Sequence, residues 1–215
     1  MLIRCCGHAK FLIETADGYR IVTDPFDASV GYPVTDLQAD AVLVSHHHHD
    51  HDAVDTVRGW TKMVDSAGTH TLTPGVTVRA LEAYHDDQQG AKRGKNLLMC
   101  IEADGLRLVH LGDLGHQPDS RLLSAIGSVD ILMIPVGGFF TIDAEQAAIL
   151  CRQLQPKVIL PMHYRTAVNA DWPIAPVDEF LSRMASAPVE TLTVLRVTKE
   201  DLGCQPSIAL LQPEG

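Results

Sequence analysis

The sequence predicts a layered α/β domain, and three observations carry that prediction. Short, β-branched apolar runs fill the first two thirds of the chain, segments of helical period come late, and several apolar runs end on an aspartate or a histidine. At 215 residues the chain is long enough to bury a substantial core. No linker or low-complexity stretch interrupts it, so one domain over residues 1–215 is expected.

The elements follow in order. LIRCC, KFLIET and YRIVTD open the chain, and Cys5 and Cys6 fall in the first of these runs. AVLVS, VTVRALEA, NLLMCIEA and LRLVHLGD come next. Runs of this length and composition favour strands. Ala16–Gly18 and Ala103–Gly105 both read ADG between two such runs, a hairpin signal. FLIETADGYRIVTDP and MCIEADGLRLVHLGD share the order strand, turn, strand, aspartate, which places Asp24 and Asp113 at matching ends. Two similar halves would explain this, and so would coincidence between two apolar hairpins. ILMIPV is a further strand, followed by Gly137 and Gly138, which permit close backbone approach or a simple chain reversal. DAEQAAILCRQLQP, from Asp143, has an acidic first turn and Pro156 as a stop, and PVDEFLSRMAS starts on Pro176; both read as helices. KVILPMHY lies between them as a buried strand, and TLTVLRV is one more.

Composition narrows the function. A formal charge of −10 argues against a protein that grips nucleic acid through its phosphates. Five scattered cysteines without a CxxC pair read as free thiols in a reducing compartment. The N-terminus lacks the pattern of a secretory signal, and no run of about 18 apolar residues is present to span a membrane. A cytoplasmic protein acting on a small molecule is the expectation.

VSHHHHDHD, Val44–Asp52, holds five histidines and two aspartates. A purification tag would sit at a terminus, and a solvent-facing polar loop is the bland alternative. DAVLVS directly before it is a buried strand, so the histidines begin where that strand emerges, a position where function concentrates. Counting back from the single Asp-His dipeptide inside the run gives H-x-H-x-D-H, with His46, His48, Asp50 and His51 as its members. Alternation along an extended segment sends 46, 48 and 50 one way and His47 and His49 the other. A turn at Asp50–His51 would bring the last imidazole round to the same side.

H-x-H-x-D-H at a strand end resembles the signature of the metallo-β-lactamase superfamily of metal-dependent hydrolases. The later pieces of that signature also occur in order: His85 in EAYHDDQQG, Asp113 in LVHLGDLGH and His163 in VILPMHY. GHAKFLIE, IVTDPF, GDLGH and IPVGGFFTIDAEQAA are similar to the branch containing ascorbate-6-phosphate lactonase-like and N-acyl-phosphatidylethanolamine phospholipase D-like proteins. The resemblance implies a four-layer αββα sandwich, two mixed sheets flanked by helices. It also implies two divalent ions, zinc first and manganese or iron as alternatives. His46, His48 and His85 would hold one ion, Asp50, His51 and His163 the other, with Asp113 between them. A hydroxide held by both would attack an ester, lactone or phosphodiester of a small, anionic substrate, and Asp50 would orient it.

Around this set, Asp24 is a candidate partner for a metal-bound imidazole. His116 is a candidate proton donor, alongside an exposed loop histidine as the plainer reading, and His8 has the same standing. Tyr164 and Arg165 directly follow the last ligand and are candidates for a substrate anion. His110 reads as a strand residue without a catalytic part, and His70 as a polar-loop residue. Pocket walls are expected from loops 26–31, 86–95 and 139–140. Two other functions fit the same residues: metal storage or sensing without turnover, and an iron-dependent oxidoreductase on the same fold.

Overall fold

Every second residue of β1 (Leu2–Gly7) is buried, the pattern of a strand with one face on a core. The structure is a computed structural model that describes residues 1–34, 36–205 and 207–213. β2 (Lys10–Glu14), β3 (Arg20–Thr23), β4 (Leu37–Gln38), β5 (Ala41–Leu43), β6 (Val57–Arg58) and β7 (Lys62–Val64) follow. Next come β8 (Gly68–Thr73), β9 (Val76–Tyr84), β10 (Lys95–Ala103), β11 (Leu106–His110), α1 (Ser120–Ile126) and β12 (Ile131–Pro135). α2 (Ala144–Leu154), β13 (Val158–Met162), α3 (Val177–Arg183), β14 (Val189–Leu192), β15 (Leu195–Arg196) and β16 (Ile208–Leu211) complete the chain.

Among the described residues these strands form two large mixed sheets and a ribbon. The first sheet has the order β15-β1-β2-β3-β5-β7, the second β14-β16-β13-β12-β11-β10-β9-β8, and β4 pairs with β6. Ile3, Phe11, Ile13, Ile21 and Leu43 of the first sheet meet Val78, Met99, Ile101, Leu108, Met133 and Leu160 of the second. The three helices cover the outer face of the second sheet, where Ile126, Ala147, Leu150 and Phe180 pack on Val109, Leu132, Ile134 and Ile159. β12 and β13 are therefore buried on both faces and read as unbroken apolar runs. Over the first sheet, Val57, Val54 and Trp60 cover Leu12, Val22, Val42 and Val44. The arrangement is an αββα sandwich whose outer layer on that side consists of a 3₁₀ turn and the β4-β6 ribbon.

Strand direction places the chemistry. β3, β5 and β7 run parallel, as do β11, β12 and β13, and β9 shares the direction of β11 because both are antiparallel to β10. The C-terminal ends of the strands preceding Asp24, His46, His85, Asp113 and His163 thus open on one edge. The two look-alike hairpins face each other, one in each sheet, and the Ala16 N–H donates to the Asp104 carboxylate (2.9 Å) across their turns at the opposite edge.

Both predicted helices form. Asp143 caps α2 with a reciprocal capping box to Gln146, and Gln155, in the left-handed region before Pro156, ends it. TLTVLRV, expected as one strand, divides because the chain passes from the second sheet (β14) to the first (β15). α1 was not foreseen: it is as short as α3 but lacks the proline start and acidic first turn that mark α3, and only Asp119 caps it. Among the described residues no helix is long and apolar enough to cross a membrane.

The described cysteines are all free thiols. Burial pushes the Cys5 and Cys151 thiols up to about 12, the former against a backbone hydrogen bond from Gly7 and the latter against the charge of Arg152. A thiol-specific reagent at pH 8 should modify exposed Cys204 in the native protein and reach Cys5, Cys100 and Cys151 only after denaturation. Rapid labelling of Cys5 or Cys151 in the folded state, read by mass spectrometry, would contradict this packing.

Candidate metal centre

The segment that carries the first candidate ligands is held from behind by Asp24. Its carboxylate accepts the Ser45 N–H (2.7 Å), the Ser45 hydroxyl (2.7 Å) and His51 Nδ1–H (2.9 Å). The Ser45 hydroxyl oxygen in turn accepts from His46 Nδ1 at 2.9 Å. With both Nδ1 atoms so engaged, the Nε2 atoms of His46 and His51 face inward, buried and without a hydrogen-bond partner. Asp113 is presented by a second clamp: Asn96 accepts the Asp113 N–H (2.9 Å) and donates to the Leu111 carbonyl (2.9 Å). His85 Nε2 and His163 Nε2 each lie 3.2 Å from Asp113 Oδ2, and His51 Nε2 lies 3.3 Å from Oδ1.

The expected seven side chains come together in three groups whose donor atoms lie within 4.8 Å of one another. His46, His48 and His85 form one, His46, His51 and Asp113 another, and Asp50, His51 and His163 the third, with His8 as a further member. His8 Nε2 is 3.2 Å from Asp50 Oδ2, and the His8 ring lies 4.2 Å from that of His163. His47 and His49 are two-thirds exposed, stand near Asp52 and Asp50 and fall outside the three groups, as the alternation read from the sequence expects, although His49 also borders the pocket above them. The turn at the end of the run closes through the His51 N–H to the His48 carbonyl (2.9 Å).

Charge is the dominant feature of this edge. Asp24 meets His51 and His110, Asp50 meets His8, His49 and His51, and Asp113 meets four imidazoles. Burial works to raise the Asp113 carboxyl, but His163 and His51 hold it well below the usual range. Burial likewise opposes protonation of His51, yet Asp113, Asp24 and Asp50 lift it to about 10. In His8 and His46 burial wins, lowering them to about 4 and about 3. Three buried carboxylates among mostly neutral imidazoles leave negative charge uncompensated. The orphaned Nε2 atoms and the free Asp113 Oδ1 fit divalent cations, and donors that are all nitrogen and oxygen suit zinc, manganese or iron.

Other expected residues lie elsewhere. Both ring nitrogens of His116 serve the backbone, one accepting the Tyr84 N–H (3.2 Å) and the other donating to the Gln117 carbonyl (3.0 Å). It lines a separate hollow with Asp86 and Arg121, away from the cluster, because the chain turns outward after Gly115. Tyr164 packs toward the helix layer, where burial raises its phenol, and Arg165 is exposed and held by its backbone to Ala175. Neither lines the pocket over the cluster. His110 is locked between the Ala9 carbonyl and the Gly112 N–H as a strand residue. His70 lies in β8 rather than a loop, bonded to the Ser66 carbonyl.

The pocket measures about 420 Å³. His48, Asp50, His85, Asp113 and His163 form its floor, and Arg93, Phe140, Asp171, Trp172 and Pro173 its walls. Loops 86–95 and 139–140 contribute as expected. Phe26 and Val30 of the third expected loop instead pack behind Trp172. Trp172, and Ser45 and Asn96 as supports, left no signal in the sequence: Trp172 and Asn96 act through contacts distant in the chain, and Ser45 acts by linking His46 to Asp24.

A family model described as "Beta-lactamase superfamily domain" matches residues 2–163. The chain belongs to the metallo-β-lactamase superfamily. Within that superfamily, a metal-dependent hydrolase of Pelotomaculum thermopropionicum is 31% identical over 229 residues, covering 91% of this chain and 96% of the relative. A Thermotoga maritima structure assigned as a Zn-dependent hydrolase of the superfamily is 33% identical, with a TM-score of 0.79 over 98% of this chain and 97% of that one. A metallo hydrolase of Ignicoccus hospitalis, 22% identical over 100% of this chain and 96% of its own, shares the fold with a TM-score of 0.70.

Two glycines let the ligand-bearing loops cross. A Cβ on Gly137 would lie 2.3 Å from the His163 carbonyl oxygen. Gly112 has φ +53°, and a Cβ there would lie 2.3 Å from Asn96 Oδ1 and 2.5 Å from the Ser45 Cβ. Gly112→Ala should cost roughly 2–4 kcal/mol of stability and lower the urea midpoint. An unchanged midpoint would show that the Asp113 clamp is not as tight as its geometry.

Proposed function

We propose that this protein hydrolyses a small ester, lactone or phosphodiester at a two-metal centre. His46, His48 and His85 would hold one ion, Asp50, His51 and His163 the second, and Asp113 both. The observation that carries this reading is the convergence of His46 Nε2, His51 Nε2 and Asp113 Oδ1, buried and without hydrogen-bond partners, at a carboxylate that itself lines an accessible pocket. Bound divalent ions supply Lewis acidity and make water nucleophilic at neutral pH. The chain's own groups supply the rest. Asp24 fixes the ring orientation of His51 directly and of His46 through Ser45. Asp50, tethered by His8, can accept a hydrogen bond from the attacking water and orient it. Phe140 and Trp172 shield one side of the pocket from solvent.

Similarity to the lactonase and phospholipase branch sets the compounds worth trying. Protein loaded with zinc or manganese should hydrolyse at least one member of a panel of lactones, phosphodiesters and acyl esters. His48→Ala should reduce that turnover to background while leaving the far-UV circular dichroism unchanged. Metal binding without turnover across the panel would favour storage or sensing, and a coloured, iron-loaded protein would favour redox chemistry. Asp24→Asn should weaken metal binding by about 10–100-fold in a competitive chelator titration, because it removes the negative charge and turns one of the two acceptor oxygens behind both imidazoles into a donor. Unaltered affinity would remove Asp24 from the account.

A further inference from the structure

The pocket above the metal cluster carries a cation that the hydrolytic reading leaves unused. Arg93 is half-buried in its wall, with the guanidinium 5.5 Å from the centre of the Phe140 ring. Its neighbours in the run Lys92-Arg93-Gly94-Lys95 have carboxylate partners, Lys92 with Asp87 (3.9 Å) and Lys95 with Glu82 (2.9 Å). Arg93 has no carboxylate at ion-pair distance among the described residues. Its backbone is nonetheless fixed. The Asp86 carboxylate accepts the N–H groups of Gln88 and Gly90 (both 2.8 Å) on one oxygen, and of Lys92 (2.9 Å) and Arg93 (2.8 Å) on the other. A loop wound this tightly around one carboxylate holds the start of the arginine side chain over the pocket at little entropic cost on binding.

The charge of Arg93 and the apolar rings beside it then define what fits. On a chain of net charge −10, an unpaired guanidinium in a pocket wall is a local attraction for anions. Stacking on an aromatic face leaves its edge free for a bidentate contact with two oxygens. Phe140 lies 6.4 Å from both His163 and Trp172, so an apolar surface separates Arg93 from the ligand cluster. Asp171, on another part of the wall, disfavours an anion placed beside it.

We propose that Arg93 anchors an oxyanion group of the substrate away from the bond that is cleaved. The substrate class is then an ester, lactone or phosphodiester bearing a remote carboxylate or phosphate, joined to the scissile group by an apolar stretch that lies on Phe140 and Trp172. This rests on the hydrolytic reading of the cluster beneath.

Two measurements on metal-loaded protein separate the two ideas. The first compares mono-4-nitrophenyl glutarate with 4-nitrophenyl valerate, which lacks the carboxylate. The kcat/KM ratio of the acid ester to the neutral one should fall at least about tenfold in Arg93→Gln, with Arg93→Lys recovering part of it. An unchanged ratio overturns the anchor. The second follows tryptophan emission as 4-phenylbutyrate, 3-phenylpropylphosphonate or the neutral 4-phenylbutyramide is added. Preference for the anions over the amide should fall about tenfold in Arg93→Gln, and the more affected anion identifies the headgroup. Equal preference in both proteins overturns the anchor even where neither ester is turned over, the outcome that counts against the hydrolytic reading alone. Circular dichroism and melting of the variants establish that the fold is retained.

Discussion

Three carboxylates buried among imidazoles, Asp24, Asp50 and Asp113, set the terms for the rest of this structure. Burying an uncompensated carboxylate costs several kcal/mol, and the one imidazole they lift to about 10, His51, cannot offset three of them. The protein orders the surrounding donors instead of diluting them, so that lone pairs converge on the space between rings. Cations at that place would turn the least favourable charge in the fold into binding energy, which links the metal centre to folding as well as to chemistry.

Sheet topology makes this convergence possible. Parallel neighbours in each sheet direct the loops after β3, β5, β9, β11 and β13 to the same edge, and the core between the sheets fixes the distance across it. The two hairpins meet at their turns far from the site and deliver Asp24 and Asp113 at its opposite sides, where both contact His51. His8, Asp24 and His163 all have positive φ, so the chain carries backbone strain where the ligand-bearing loops turn. Asn96, Ser45 and the glycines at 112 and 137 then settle orientation at the scale of single atoms.

Much of the candidate centre was legible because its spacing is local. His46, His48, Asp50 and His51 follow from alternation and a turn, and Asp113 and His163 each follow an apolar strand. Secondary structure was readable for the same reason: long strands and the capped α2 have strong periods, whereas α1, β7 and β8 are too short or too polar to show one. What could not be read was direction. His116 is three residues from Asp113, but the chain turns away after Gly115 and both its nitrogens are taken by backbone. Arg165 leaves the pocket wall, and Arg93, in a loop shaped by Asp86, occupies it. Sequence neighbours of a ligand need not share its surroundings; side chains brought in by other loops do.

This protein is thus a metallo-β-lactamase superfamily member whose candidate metal centre, built of nitrogen and oxygen donors, would answer a charge problem created by its own fold. Anomalous scattering from a crystal, collected above and below the zinc edge, addresses that account most directly. Two peaks are predicted on either side of the Asp113 carboxylate, one against His46, His48 and His85 and the other against Asp50, His51 and His163. A well-ordered crystal of the zinc-loaded protein with one peak, or with density only at surface histidines such as His47 and His49, would contradict it.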